Sequence, residues 1–359
     1  MAVTTEPASP DTRATGDVRR CDLVLGGGGV RGLAHIGAAM SLEEHGFEVV
    51  RVAGASAGAL MGAFLVAGVP ATEAAARFEG LDLRAFALSD VLGRLSTKRA
   101  IGGIIDRFTA DPVDPLEWIR EVLEEGGIAT FGDVRLTDDE IPPELRYRLV
   151  VRCLDVVQRR VVRLPWDYDR YGLEPDEQSV AEAIRASMSI PFVYDPVPIG
   201  ELEAGSGGLL VDGGLTSGFP VSIFDRTDDR PPRWPTFGIR LLAREPPRSE
   251  LPDDAATVRM ILEALLDASD LLEPLTACDE RRTVRIDVSE VGALEVDLGD
   301  AEDVVSRGRD AMDAFLAEWD DDAYCAECRQ ADLTRRAAAR PASSDAALQP
   351  GADGSAHPS

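Results

Sequence analysis

Two kinds of apolar pattern alternate at the start of the chain. Cys21 to Leu25 is a short apolar run ending in four glycines, Gly26 to Gly29, after which Leu33, Ile36, Gly37 and Met40 fall at helical spacing with Glu43 and Glu44 outward. That pattern predicts a strand, a glycine turn and a helix. Gly46 closes the helix as a C-cap residue would, and Phe47 to Ala53 returns as a β-branched run. This run ends at Gly54-Ala55-Ser56-Ala57-Gly58, and a second, small and apolar helix follows through Ala67. Two successive strand–turn–helix units predict an α/β fold with a mostly parallel sheet, in which the loops at the carboxyl ends of the strands carry the chemistry.

Farther on, residues 71–144 read as mostly helical. Strands are predicted over Arg146 to Asp155, Arg160 to Pro165, Leu209 to Val211, Thr236 to Leu242 and Val284 to Val288, with helices over Val180 to Ser187, Val258 to Leu272 and Ala301 to Trp319. Ser189-Ile190-Pro191 forces an extended exit from the first of these helices, because the residue before proline disfavours the helical region. Residues 1–20 and 321–359 are polar, Pro- and Ala-rich, and predicted to be a leader and a largely disordered tail.

Composition narrows the function. Among 359 residues, 64 acidic side chains against 37 basic ones give a formal charge of −27, which argues against a nucleic-acid partner. The longest nearly uninterrupted apolar stretch, Gly58 to Val69, is too short to span a bilayer. Five cysteines scattered over a long chain suggest a reducing compartment and a cytoplasmic protein. Cys325 and Cys328 have a CxxC spacing, but no second pair or nearby histidine completes a metal site.

Gly54-Ala55-Ser56-Ala57-Gly58 is the sharpest chemical feature. Glycines two before and two after a serine allow a tight, strained turn that lifts the hydroxyl above a strand end, beside the amides of a helix N-terminus. Such a serine needs a base, yet of three histidines His35 and His45 precede it and His357 lies in the tail. A Ser–acid–His triad in its usual chain order is therefore not available. Asp212 ends a short apolar strand and is followed by Gly213 and Gly214, so its carboxylate would emerge at the same sheet edge and could act as a base. Gly27, Gly29 and Gly32 fit a dinucleotide fingerprint, but the second strand ends in the serine turn where that fingerprint expects an acidic residue. An oxyanion hole built from Gly28 and Gly29, with Arg31 nearby, fits better.

GGGGVRG, GASAG and DGG in this order resemble the patatin-like phospholipase family, and RGLAHIGAAMSLEEHG and AEAIRASMSIPFVYDPV extend the likeness over roughly Cys21 to Asp225. The resemblance implies a three-layer α/β sandwich with a mostly parallel central sheet and helices on both faces. It implies a catalytic core over residues 21–225, with 226–320 completing the same domain. It also implies hydrolysis of lipid acyl esters by a Ser–Asp dyad, with no metal or other cofactor and only transient membrane contact. Carried over, Ser56 is the nucleophile and Asp212 the base. Gly27, Gly28, Gly29, Arg31 and Gly32 form the oxyanion and substrate-binding loop, and Gly54, Gly58, Gly213 and Gly214 shape the turns. Many bacterial members have an asparagine where Gly218 stands here. A catalytically silent lipid-binding protein and a dinucleotide-binding oxidoreductase are the alternatives.

Overall fold

In the computed structural model, residues 18–80, 116–191, 193–201, 205–216, 219–226, 233–242, 260–262, 264–266, 275–291 and 301–329 are described. Their strands are β1 (Arg19–Leu25), β2 (Phe47–Ala55), β3 (Leu149–Asp155), β4 (Arg160–Leu164), β5 (Val197–Ile199), β6 (Gly208–Asp212), β7 (Thr236–Leu242) and β8 (Thr283–Asp287). All lie in one sheet of order β5-β6-β3-β2-β1-β7-β8, with β4 on β3. The run β3-β2-β1-β7-β8 is parallel, and β4, β5 and β6 are added antiparallel. The fold is α/β with a mostly parallel mixed sheet, as the two opening units predict.

Side chains alternate across this sheet. Leu23, Leu25, Val52, Leu149 and Val151 point into the larger core. That core also takes in α1 (Leu33–Glu44), α2 (Ala57–Ala67), α3 (Ala71–Gly80), α4 (Leu116–Glu125) and α5 (Val180–Ser187). Val24, Ala53 and Val150 point the other way and are covered by Phe219, Val221 and Phe224. Arg282 clamps this cover by pairing with Asp225 at 2.7 Å and with Asp279 of α6 (Ala277–Arg281).

The long helix α7 (Ala301–Glu318) crosses α1 at two glycines. A Cβ on Gly37 would meet the backbone of Val305, and one on Gly308 the backbone of Ala34. Such close approach lets a helix far along the chain complete the core over the first unit.

Two expectations change. Residues 321–329, read from sequence as tail, are helical: α8 (Asp321–Tyr324) continues into a turn over Cys325–Arg329. Tyr324 packs on Trp319 with ring centroids 5.0 Å apart, and Cys328 forms a disulfide with Cys278 rather than pairing with Cys325. Against the reducing compartment that the scattered cysteines suggest, one pair, Cys278 and Cys328, is thus oxidised. Most of the helix predicted over 258–272, and Gly218, lie outside the described residues.

Candidate active site

β2 and β6 reach the same edge of β3 from opposite directions. Ala55 pairs with Arg152 in parallel register and Asp212 pairs with Cys153 in antiparallel register, while β4 occupies the other edge of β3 across both residues. The carboxyl ends of β2 and β6 therefore meet head-on at the Arg152–Cys153 step. Ser56 directly follows β2, Asp212 is the last residue of β6, and the Ser56 hydroxyl donates to Asp212 Oδ2 at 2.7 Å. The two residues that the sequence singles out are thus in contact.

The serine sits at φ 52° and ψ −123°, a conformation that costs a non-glycine residue about 1–3 kcal/mol. Its neighbours make the turn possible. A Cβ on Gly54 would fall 2.3 Å from the carbonyl carbon of Gly58, and one on Gly58 would fall 2.5 Å from the carbonyl oxygen of Leu25. Any side chain at either position would push α2 off the strand end. α2 then begins at Ala57, directing its N-terminal dipole at the serine.

A short segment after α5 holds both halves of the pair, and sequence reasoning passed over it. Ser187 Oγ accepts the backbone N–H of Ser56 at 2.8 Å and donates to the carbonyl of Arg152 at 2.6 Å. The carbonyl of Ser189 accepts the backbone N–H of Asp212 at 2.9 Å. Both serines are fully buried. Their signal was present in Ser187-Met188-Ser189-Ile190-Pro191, where the proline forces the chain out of the helix, but nothing local says which strand ends the segment touches.

The glycine loop closes the site from β1. A Cβ on Gly27 would lie 3.2 Å from Gly214 Cα and 3.8 Å from Ser56 Cβ, which puts the loop backbone against the pair. Gly28 takes φ 155° and Gly29 φ 56°, leading into a short 3-10 turn over Gly29–Gly32. Among the described residues, neither Gly27 nor Gly28 donates its backbone N–H to a protein acceptor. Gly32 packs on Ala57, so the loop and the elbow touch directly. Arg31 is buried with its Nε donating to the carbonyl of Val291 at 2.7 Å, a contact that braces the loop. Gly213 lies against the Arg152 carbonyl, and Gly214 donates its N–H to Asp212 Oδ1 at 2.6 Å.

Electrostatics separates the titratable groups. Asp212 is wholly buried, and desolvation pushes its pKa up to about 7, against the pull of the hydrogen bonds from Ser56 and Gly214. A carboxylate poised there can exchange a proton with a hydroxyl at neutral pH. His35 is also buried, and desolvation pushes it down to about 4. Its Nε2 lies 2.9 Å from the carbonyl of Gly26 and, in the neutral ring, donates to it, bracing the base of the glycine loop. His45 reaches the carbonyl of Ser41, so neither described histidine bonds to Ser56.

A family model described as patatin-like phospholipase matches residues 23–225. The uncharacterised protein YqhO of Bacillus subtilis is 30% identical over 304 residues, covering 83% of this chain and 98% of that protein. An uncharacterised NTE family protein of Mycobacterium bovis is 30% identical over 57% of this chain, and Lysophospholipase NTE1 of Eremothecium gossypii is 26% identical over 55% of it. This chain spans only 28% and 11% of the lengths of those two proteins. Among solved structures, VipD from Legionella pneumophila aligns over 83% of this chain and 66% of its own, with a TM-score of 0.45 and 16% identity. ExoU in complex with SpcU from Pseudomonas aeruginosa aligns over 89% and 59%, with a TM-score of 0.47 and 17% identity.

Proposed function

This chain belongs to the patatin-like phospholipase family, and from that premise we propose that it is a serine lipid acyl hydrolase working through a Ser56–Asp212 dyad. The carrying observation is the buried 2.7 Å hydrogen bond from Ser56 Oγ to an aspartate whose pKa stands near 7. In this reading Asp212 takes the hydroxyl proton as Ser56 Oγ attacks the ester carbonyl, and the charge that develops on the carbonyl oxygen is met by the backbone amides of the glycine loop. The protonated Asp212 then protonates the leaving alcohol. Water, deprotonated by the same carboxylate, attacks the acyl-enzyme and releases the fatty acid with Ser56 regenerated.

Two further features support it. The Gly27 and Gly28 amides have no protein acceptor among the described residues, and Gly27 lies beside the serine, where an oxyanion donor is needed. Ser187 and Ser189 fix the backbone of both reacting residues, so that little reorganisation is needed when charge moves. Residues 21–225 carry the chemistry in this proposal, and residues 226–320 complete the domain.

The test is turnover of a panel of phospholipids, lysolipids, triacylglycerols and short aryl esters, with fluorophosphonate labelling of Ser56. Ser56→Ala and Asp212→Ala should each lower turnover by at least about 1,000-fold with the folded spectrum retained. Full turnover by either variant would overturn the dyad, and absence of both labelling and turnover would leave a silent lipid-binding protein.

A further inference from the structure

Exposed apolar side chains are unevenly placed on this molecule. Seven large ones are exposed among the described residues: Val18, Val156, Val157, Leu242, Met260, Ile261 and Leu265. Val18 precedes β1, at the amino end of the parallel strands. The other six lie at or near the opposite end, around the Ser56–Asp212 pair. Val156 and Val157 follow β3, three and four residues past the Cys153 that pairs with Asp212, which is roughly 10 Å farther out along the strand. Leu242 ends β7, three residues beyond the Ile239 that pairs with the last residue of β1.

Met260, Ile261 and Leu265 belong to a helical stretch with one face over the site. Its Leu262 and Leu266 are buried, and Leu266 Cδ2 comes within 3.3 Å of a Cβ built on Gly214, whose own Cβ position lies 3.7 Å from Ser56 Cβ. On the neighbouring stripe Ile261 and Leu265, one turn apart, are 54% and 46% exposed. The same helix therefore lines the site with one stripe and offers the next to the outside. A large apolar side chain left fully in water costs roughly 1.5–3 kcal/mol relative to an apolar surrounding, so six partly exposed ones toward the carboxyl end against one at the amino end mark an edge that is covered in use.

We infer that this edge docks on a neutral or zwitterionic lipid surface, the β3–β4 turn, Leu242 and helical residues Met260, Ile261 and Leu265 entering the acyl boundary around the site. This rests on the proposed lipid hydrolase and names how its substrate is reached. Charge selects the surface. A chain of −27 is repelled by an anionic leaflet, so apolar insertion drives the docking. Gln158 and Arg159, exposed beyond Val157, sit where headgroups would lie and can keep their polar ends wet.

The experiment uses the full chain carrying Ser56→Ala, so that lipid is not consumed, and co-sedimentation with phosphatidylcholine vesicles. Ile261→Ser combined with Leu265→Ser should weaken binding by about a hundredfold, and Val157→Ser by about tenfold. Adding phosphatidylserine or lowering the salt should not strengthen it. In the Ser56 background the same substitutions should leave turnover of a short soluble aryl ester unchanged. Vesicle binding indifferent to these substitutions overturns the inference. So does loss of a dimer in vesicle-free solution on substitution, because the face would then join two copies of the chain. Vesicle binding lost on substitution, with no ester turned over by the unmodified protein, keeps the docking surface and removes the catalytic reading. Turnover of soluble esters without any vesicle binding does the reverse.

Discussion

The two strand–turn–helix junctions of the first 70 residues have the same architecture and opposite chemistry. In the proposed reaction the working groups at the end of β1 are backbone amides, and the residues in unusual conformations, Gly28 and Gly29, have no side chain to strain. At the end of β2 the proposed working group is a side chain, and there a serine occupies the positive-φ position and strain is accepted. The difference extends to ionisation. The brace behind the glycine loop, His35, is neutral above about pH 4, whereas the partner of the elbow, Asp212, changes charge near pH 7. On the proposed mechanism, neighbouring turns of one fold divide a reaction between a fixed, uncharged donor and a strained, titrating pair.

The largest effects test the ionisation half of this contrast. With Asp212 raised from 3.8 to about 7, kcat/KM should rise with pH through a single step near 7 as the carboxylate forms, and His35→Gln, which keeps an N–H donor, should leave that step in place. Loss of the step in His35→Gln would erase the distinction between the two junctions. The same shift sets a stability slope. A carboxyl raised in the folded state contributes stability that is fully present below its unfolded pKa and lost as pH rises through about 7, here by about 4 kcal/mol. Asp212→Asn should therefore gain stability relative to the parent protein between pH 5 and pH 8, read by denaturant unfolding at the two pH values. Equal slopes would mean that the carboxyl is not held neutral by burial.

A middle-sized effect tests how the elbow is held. Ser187→Ala leaves the Ser56 N–H and the Arg152 carbonyl without their partner, a cost of about 1–3 kcal/mol. It should lower kcat about tenfold with KM nearly unchanged, and Ser187→Thr should restore part of the loss. A change confined to thermal stability, with kcat intact, would make Ser187 a packing residue only.

The smallest effect isolates backbone strain. Ser56→Gly and Ser56→Ala both remove the hydroxyl, but only alanine retains a Cβ at φ 52°, so the glycine variant should be the more stable by about 1 kcal/mol. Melting of the two variants side by side reads the difference. Alanine equal to or above glycine would show that the elbow is not strained in solution.

Much of this was legible because the informative patterns are short. A strand feeding a glycine turn and then a helix is encoded within about fifteen residues, and β1, β2, α1 and α2 appear where periodicity puts them. β7 spans Thr236–Leu242 and α5 Val180–Ser187, both as predicted. β5 was missed because three residues, one of them proline, carry too little pattern. Ser187 was missed because its partners, Ser56 and Arg152, are 131 and 35 residues away. The end of the folded region was placed too early because its acidic, Ala-rich composition resembles a tail, while Tyr324 and Cys328 are held by Trp319 and Cys278.

The amino-acid sequence by itself determined the α/β class, the serine turn, the glycine loop and the scarcity of histidines, of which only His357 follows the serine, since each depends on local spacing or a count. Only the tertiary structure decided that β6 runs against β3 and meets β2 head-on, that the Ser187–Ser189 segment supports both Ser56 and Asp212, and that Asp212 is desolvated enough to titrate near neutrality. Register between distant strands and the removal of water from a carboxylate are properties of many residues packed together, and no short stretch of chain encodes them.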